Sequence, residues 1–145
     1  MGDISKDINS TFPSNKVKAL INIKYTANWI SSTENAFFIP FGISPQQFNI
    51  LRILKGAKEP LKVQTIKDRM IERAPNATRL MDKLCTKELI KRVHCPSDRR
   101  VVHVEIRAEG LALLEEISAS LETEPLGNLT EEEAIQLSGL LDKIR

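Results

Sequence analysis

Two short β-forming runs set the strongest constraint on this chain of 145 residues. "LIKRVH" (residues 89–94) and "VVHVEI" (101–106) are rich in β-branched side chains, and between them Pro96, Ser97 and Asp98 supply turn chemistry. The pattern predicts a β-hairpin with Asp98, Arg99 and Arg100 at its exposed tip. Arginines there can bury nothing and pair with little, so they need another reason to be present. The rest of the chain favours helix. Aromatic residues make up only 5% of it, while Leu, Ile, Lys and Glu are plentiful.

Upstream, "NKVKALINIKYTANWISSTENAFF" repeats Val17, Leu20, Ile21, Trp29 and Ile30 at helical spacing and predicts a long helix, broken by "IPFGI". "SPQQFNILRILKGA" has Ser44 as N-cap, Pro45 in the first helical position and Gln47 as capping-box partner. Phe48, Leu51 and Leu54 form its buried stripe, and Gly56 is the expected terminator. "KEPLKV" reads as a short extended connection. "QTIKDRMI" predicts a short helix with Ile66 and Met70 turned inward. "APNATRLMDKLCTKEL" predicts another, with Pro75 in its first turn and Ala77, Leu80, Met81 and Leu84 on one face. At about 100° per residue, Pro75, Asn76, Arg79 and Lys83 lie opposite that face and Thr78 lies at its flank. After the hairpin, "RAEGLALLEEISASL" predicts a helix interrupted by Gly110, and "EPLGN" a break. "LTEEEAIQLSGLLDKI" predicts a last helix capped by Thr130 and Glu133, with Ala134, Leu137, Leu141 and Ile144 as its stripe.

Two short helices with a brief connection, followed by a hairpin, make a winged helix-turn-helix. Its second helix enters the major groove of DNA with its first turns, and the hairpin tip reaches sideways. The expected fold class is therefore mainly α with a small β-hairpin. Charge agrees with that expectation. Residues 1–61 carry 7 Lys/Arg against 4 Asp/Glu, residues 62–107 carry 12 against 6, and residues 108–145 carry 2 against 9. The total of +2 thus hides a basic middle and an acidic end, and the middle suits a polyanion.

Other function classes lack their signatures. No apolar run of about 18 residues exists, so no membrane span is expected. The polar start "MGDISKDINS" lacks the core of a secretion leader. Cys85 and Cys95 have neither metal-ligand nor Cys-x-x-Cys spacing, and a reduced, cytoplasmic location fits them. His94 and His103 with Cys95 do not match zinc spacing, so no metal and no cofactor are expected. The "NLT" sequon at Asn128 has no meaning without secretion. A Gly-rich phosphate loop, a nucleophile elbow and a paired-carboxylate pattern are all missing, so an enzyme is not expected.

"NATRLMDKLCTKELIKR", followed by "DRR", a hydrophobic strand and "AEG", resembles the MarR family of bacterial transcription regulators, strongly over residues 44–112. The resemblance implies a homodimer in which residues 1–40 and 108–145 form a helical dimerisation region. Residues 41–107 would form the DNA-binding lobe, and the two lobes would straddle a pseudo-palindromic operator. It also implies repression of transcription, with release by a small phenolic effector or by thiol oxidation. DNA contacts would fall on Asn76, Thr78, Arg79 and Lys83 of the recognition helix and on Arg99 or Arg100 of the wing, with Asp98 bracing a wing arginine. Two departures stand out. Glu88 stands where the family commonly has Gly, so a left-handed helix end would not come cheaply. Arg107 stands where the next helix commonly starts after Thr.

Each assignment has a physical basis. A narrow minor groove attracts an inserted arginine, which suits Arg99 and Arg100. Arg79 can read guanine through O6 and N7, Asn76 can read adenine, and Thr78 can meet a phosphate or a thymine methyl. Lys62, Lys67, Arg73 and Lys91 are candidates for phosphate contacts without sequence information. Against these stands the reading of each as an ordinary solvated side chain. Three alternatives remain open. A thiol switch would use Cys85 in the recognition helix or Cys95 at the wing entrance, their acidity raised by a basic environment. A winged-helix module could bind protein instead of DNA, although such a wing would expose apolar residues. Tyr25, Trp29, Phe37 and Phe38 either line a ligand cleft or belong to the core or dimer interface.

Overall fold

The structure, a computed structural model, describes residues 2–121 and 126–145. Its elements are α1 (Ile4–Asp7), α2 (Asn15–Phe38), a 3-10 turn (Ile39–Phe41), α3 (Pro45–Ala57), β1 (Leu61–Lys62), α4 (Val63–Arg69), α5 (Ala77–Thr86), β2 (Ile90–His94), β3 (Val102–Ile106), α6 (Ala108–Ala119) and α7 (Glu131–Ile144). The fold class is as expected, a mainly helical chain with a small sheet. The break expected at residues 124–128 lies partly outside the described residues.

Local chemistry explains most boundaries. α2 coincides with the expected long helix, and Ser14 caps it by accepting from the Val17 N–H at 3.2 Å. It ends where the 3-10 turn leads into Gly42 at φ +68°. α3 starts on the expected capping box. Ser44 Oγ accepts from the Gln47 N–H at 3.1 Å, and Gln47 Oε1 accepts from the Ser44 N–H at 2.9 Å. Gly56 is not its terminator: the helix runs to Ala57, and Lys58 takes the left-handed conformation. α7 opens on the expected Thr130–Glu133 box, with Glu131, Glu132 and Glu133 suiting the positive end of its dipole. α1 was not expected. Asp3 caps it through the Ser5 N–H and pairs with Lys18 at 3.1 Å, and Ile4 is buried.

α5 is shorter than its sequence suggested. Pro75 and Asn76 lie in a turn closed by the Ala77 N–H donating to the Ala74 carbonyl at 3.0 Å. Asn76 has non-helical φ and ψ, and its carbonyl accepts the first helical bond, from Leu80. It is therefore the N-cap position, not a first-turn residue. At the other end the Leu89 N–H reaches the Leu84 carbonyl and the Glu88 N–H reaches that of Cys85. This is a Schellman closure, with Glu88 at φ 59° in the place that glycine fills cheaply. Leu84 and Leu89, which such a closure brings together, are both in the core.

The sheet has the order β1–β3–β2, all antiparallel. Leu61 pairs with Val104, and Ile90 pairs with Ile106. Val104, on the central strand, is fully buried. Around it Ile50, Leu51 and Leu54 of α3, Ile66 of α4, Met81 and Leu84 of α5, and Leu114 and Ile117 of α6 form one core. Phe48 and Leu80 of the expected stripes are only half-buried, because Ile50 and Met81 take the centre. Gly110 does not interrupt α6. A Cβ there would lie 2.4 Å from the Leu89 carbonyl oxygen and 2.7 Å from Ile106 Cγ1, so the missing side chain lets α6 press against the end of the sheet. By contrast, α2 buries only Phe38 and α7 buries nothing. Trp29 at 60% exposure and Ile135 at 70% show how much apolar surface these helices leave without a partner among the described residues.

Candidate nucleic-acid interface

Asn76, Thr78, Arg79 and Lys83 are all exposed, while Ala77, Met81 and Leu84 are buried. Burial of one face of α5 thus turns the other face outward. The first turn of α5 has no acidic side chain. The free N–H groups there, with Arg79 beside them, make an end suited to anions. Asn76 makes no side-chain capping bond, so its amide is available.

The hairpin tip is built by main-chain bonds. The Cys95 N–H donates to the Val101 carbonyl at 3.1 Å, and the Val101 N–H donates to that of Asp98 at 3.1 Å. Asp98 Oδ1 accepts from the Arg100 N–H at 2.9 Å. Asp98 thus holds the main chain of Arg100, not its guanidinium. Arg99 and Arg100 remain exposed.

The weaker basic candidates differ among themselves. Lys62 and Arg73 are exposed, and Lys67 is half-buried on α4. Lys91 pairs across the hairpin with Glu105 at 2.8 Å, so its charge is already partly answered. Arg107 caps α6 without a side-chain cap bond. Its N–H donates to the Leu89 carbonyl at 3.0 Å, and its Nε pairs with Glu109 at 3.3 Å.

The two thiols differ for reasons other than a basic surrounding. Burial pushes the Cys85 thiol up, and nearby Arg92 offsets this only in part. The Ser97 hydroxyl, 3.0 Å from Cys95 Sγ, pulls the Cys95 thiol down, helped by the backbone N–H groups of Ser97 and Asp98. His94 and His103 lie on β2 and β3, and no metal-holding cluster is found among the described residues. The four aromatic candidates for a ligand cleft separate. Phe37 and Phe38 pack edge to face at 5.1 Å, and Phe38 meets Phe48 at 4.8 Å, which places them with the core. Tyr25 and Trp29 stand on the open face of α2.

Some contacts had no sequence signal. Arg92 of β2 reaches Asp82 of α5 in an ion pair. Lys87 Nζ donates to the Gly42 carbonyl, tying the end of α5 to the turn after α2. The first joins consecutive elements across 10 residues and the second spans 45, and helical periodicity says nothing about either.

Comparison with known proteins agrees with this architecture. Residues 43–102 match the MarR family. The chain is 38% identical over 107 residues to the HTH-type transcriptional repressor MdtR of Bacillus subtilis, covering 71% of this chain and 68% of that protein. It is 31% identical over 133 residues to the HTH-type transcriptional regulator MhqR of the same organism, covering 88% and 90%. Its fold is that of a MarR mutant from E.coli complexed with operator DNA, with a TM-score of 0.76 at 24% identity over 92% of this chain and 99% of that one. With its helix-turn-helix, wing and flanking helices all in place, the chain belongs to the MarR family.

Proposed function

We propose that this protein is a sequence-specific double-stranded DNA-binding transcriptional regulator that acts as a homodimer and represses its target. The observation that carries this reading is the joint exposure of Arg79 on α5 and of Arg99 and Arg100 on the wing, on a lobe whose middle segment is strongly basic. Arg79, Asn76, Thr78 and Lys83 meet the major groove. Arg99 and Arg100 meet the minor groove beside it, and Lys62, Lys67, Arg73 and Lys91 add salt-dependent phosphate contacts. Names of the relatives, a repressor and a regulator, support the regulatory role. So does the operator DNA bound by the E.coli protein of the same fold.

Residues 1–40 and 108–145 supply the dimer, and residues 41–107 supply the lobe that holds DNA. The uncovered apolar faces of α2 and α7 support this division, while α6 serves both parts because Leu114 and Ile117 enter the lobe's core. The protein works by binding and not by catalysis, in the cytoplasm. No helix among the described residues is long and apolar enough to cross a membrane. A small phenolic effector completes the reading. An open cavity between α2, α3 and residues 70–72, lined by Phe38, Phe48, Met70 and Ile71 and by the charged Arg52, Glu34 and Glu72, offers apolar walls with one cation beside two carboxylates.

A gel-shift comparison tests the reading. Arg79→Ala is expected to lose preference for a specific duplex while remaining dimeric, at a cost of about 1–3 kcal/mol of discrimination. Arg100→Ala is expected to weaken binding. Unchanged specificity in the Arg79 variant would remove the recognition-helix assignment.

A further inference from the structure

The start of α3 carries amide side chains in "QQFN", and each of them reaches across to the segment that leads into α5 or to α5 itself. Gln46 Nε2 donates to Glu72 Oε2 at 3.0 Å. Asn49 Oδ1 accepts from the Ile71 N–H at 3.0 Å. Gln47 Nε2 donates to the Leu80 carbonyl at 3.3 Å. Gln47 is also the one buried polar residue of the described core, at 5% exposure.

Gln47 therefore works from both ends of one amide. Its oxygen closes the capping box of α3, and its nitrogen holds α5 one residue beyond Arg79. Glutamate satisfies a capping box equally well, because only the acceptor is needed there. It has no donor for the Leu80 carbonyl when ionised. The hold on α5, together with the cost of burying a carboxylate at this site, thus explains glutamine over glutamate, and the cap of α3 does not. Asn49 has the opposite requirement. It uses its oxygen alone, to satisfy the Ile71 N–H just after α4.

We propose that Gln47 and Asn49 are positioning residues for DNA recognition, fixing the height and rotation of α5 and its leading turn on α3 so that Arg79 meets the base edges. The proposal rests on the DNA-binding reading above. Neither side chain touches DNA. Base readout tolerates little displacement, because a bidentate arginine contact needs both acceptors of one guanine at once. Two amide bonds to the main chain of α5 and its leading segment restrain them more directly than apolar packing, which has no preferred direction.

The donor and acceptor roles give amide-to-acid substitutions opposite outcomes. Gln47→Glu keeps the cap and loses the hold on Leu80. Its expected effect is a fall of about tenfold or more in the ratio of affinities for a selected and a random duplex at fixed salt. Faster amide hydrogen exchange over residues 77–84 in the DNA-free protein should accompany it. Asn49→Ala is expected to lower the ratio as well, and Asn49→Asp to restore it toward wild type, because the acid still accepts from Ile71. Should Gln47→Glu fail to fold, the Asn49→Ala and Asn49→Asp pair decides the matter alone. A wild-type ratio and wild-type exchange in Gln47→Glu, or no difference between the two Asn49 variants, would overturn the proposal. If the wild type itself prefers no duplex, the DNA reading fails instead, and the exchange comparison still decides whether these amides hold α5.

Discussion

The carboxylate of Asp82, on the exposed side of α5, is ion-paired with the guanidinium of Arg92 on β2. The bond joins the recognition helix directly to the first strand of the wing, and the carboxylate raises the already high pKa of Arg92 further. Both side chains are about half exposed, so the pair contributes on the order of 0.2–1 kcal/mol to stability. A double-mutant cycle on Asp82→Ala and Arg92→Ala, read by urea unfolding, should return a coupling within that range. Affinity for DNA should fall more than stability does in Arg92→Ala, because helix and wing then no longer move together. Equal losses in both would deny the pair any role beyond stability.

Glu88 occupies a left-handed position at the end of α5. A residue with a side chain is strained there by roughly 1–2 kcal/mol. Glycine removes that strain and gives back about 0.4–1 kcal/mol through a freer unfolded chain. Glu88→Gly is thus expected to stabilise the protein by about 0.5–1 kcal/mol, while Glu88→Val, β-branched in the same conformation, should destabilise it. Chemical denaturation of the two variants checks both signs.

Gly110→Ala should destabilise the fold. The added carbon meets the Leu89 carbonyl, which already accepts from the Arg107 N–H, and it meets Ile106 on its other side. Overpacking against backbone costs about 1–3 kcal/mol, more than the roughly 1 kcal/mol that alanine gains over glycine within a helix. An unchanged melting temperature would contradict this close approach.

The cysteines should separate by pH. Cys95 is held below the ordinary thiol range by its Ser97 hydroxyl partner, so its alkylation by iodoacetamide should reach half-maximal rate at lower pH than in the unfolded chain. Cys85 is pushed the other way by burial and should react slowly in the native protein. A group whose folded pKa is raised favours the folded state below its unfolded pKa and loses that contribution as pH rises through the folded value. Any stability owed to the Cys85 thiol is therefore lost only on the alkaline side. Mass spectrometry of peptides labelled along a pH series reads both residues at once.

Much of the fold could be read from short-range chemistry. The capping boxes at Ser44 and Thr130 and the turn residues of the hairpin act within a few residues, and α3, α7 and the wing follow from them. The outward face of α5 could be read too, because burial of Ala77, Met81 and Leu84 leaves Arg79 no other direction. What the sequence did not disclose depends on partners distant along the chain. Gln47 looked like a cap and no more, since its second bond goes to Leu80, 33 residues away. Gly110 looked like a flaw in α6 because its obstacles, Leu89 and Ile106, belong to other elements. Glu88 was the reverse case. The helix end there follows the glycine pattern, and the tertiary packing of Leu84 and Leu89 overrides the local cost.

Selection of duplexes from a random pool by the purified protein tests the central claim most directly. The proposed homodimer, with two lobes related by a twofold axis and each offering α5 and a wing, should enrich an inverted repeat whose half-sites lie about one helical turn apart, with binding that weakens steeply as salt is added. A pool that remains random after repeated rounds, or that converges on a single unrepeated half-site, would contradict it.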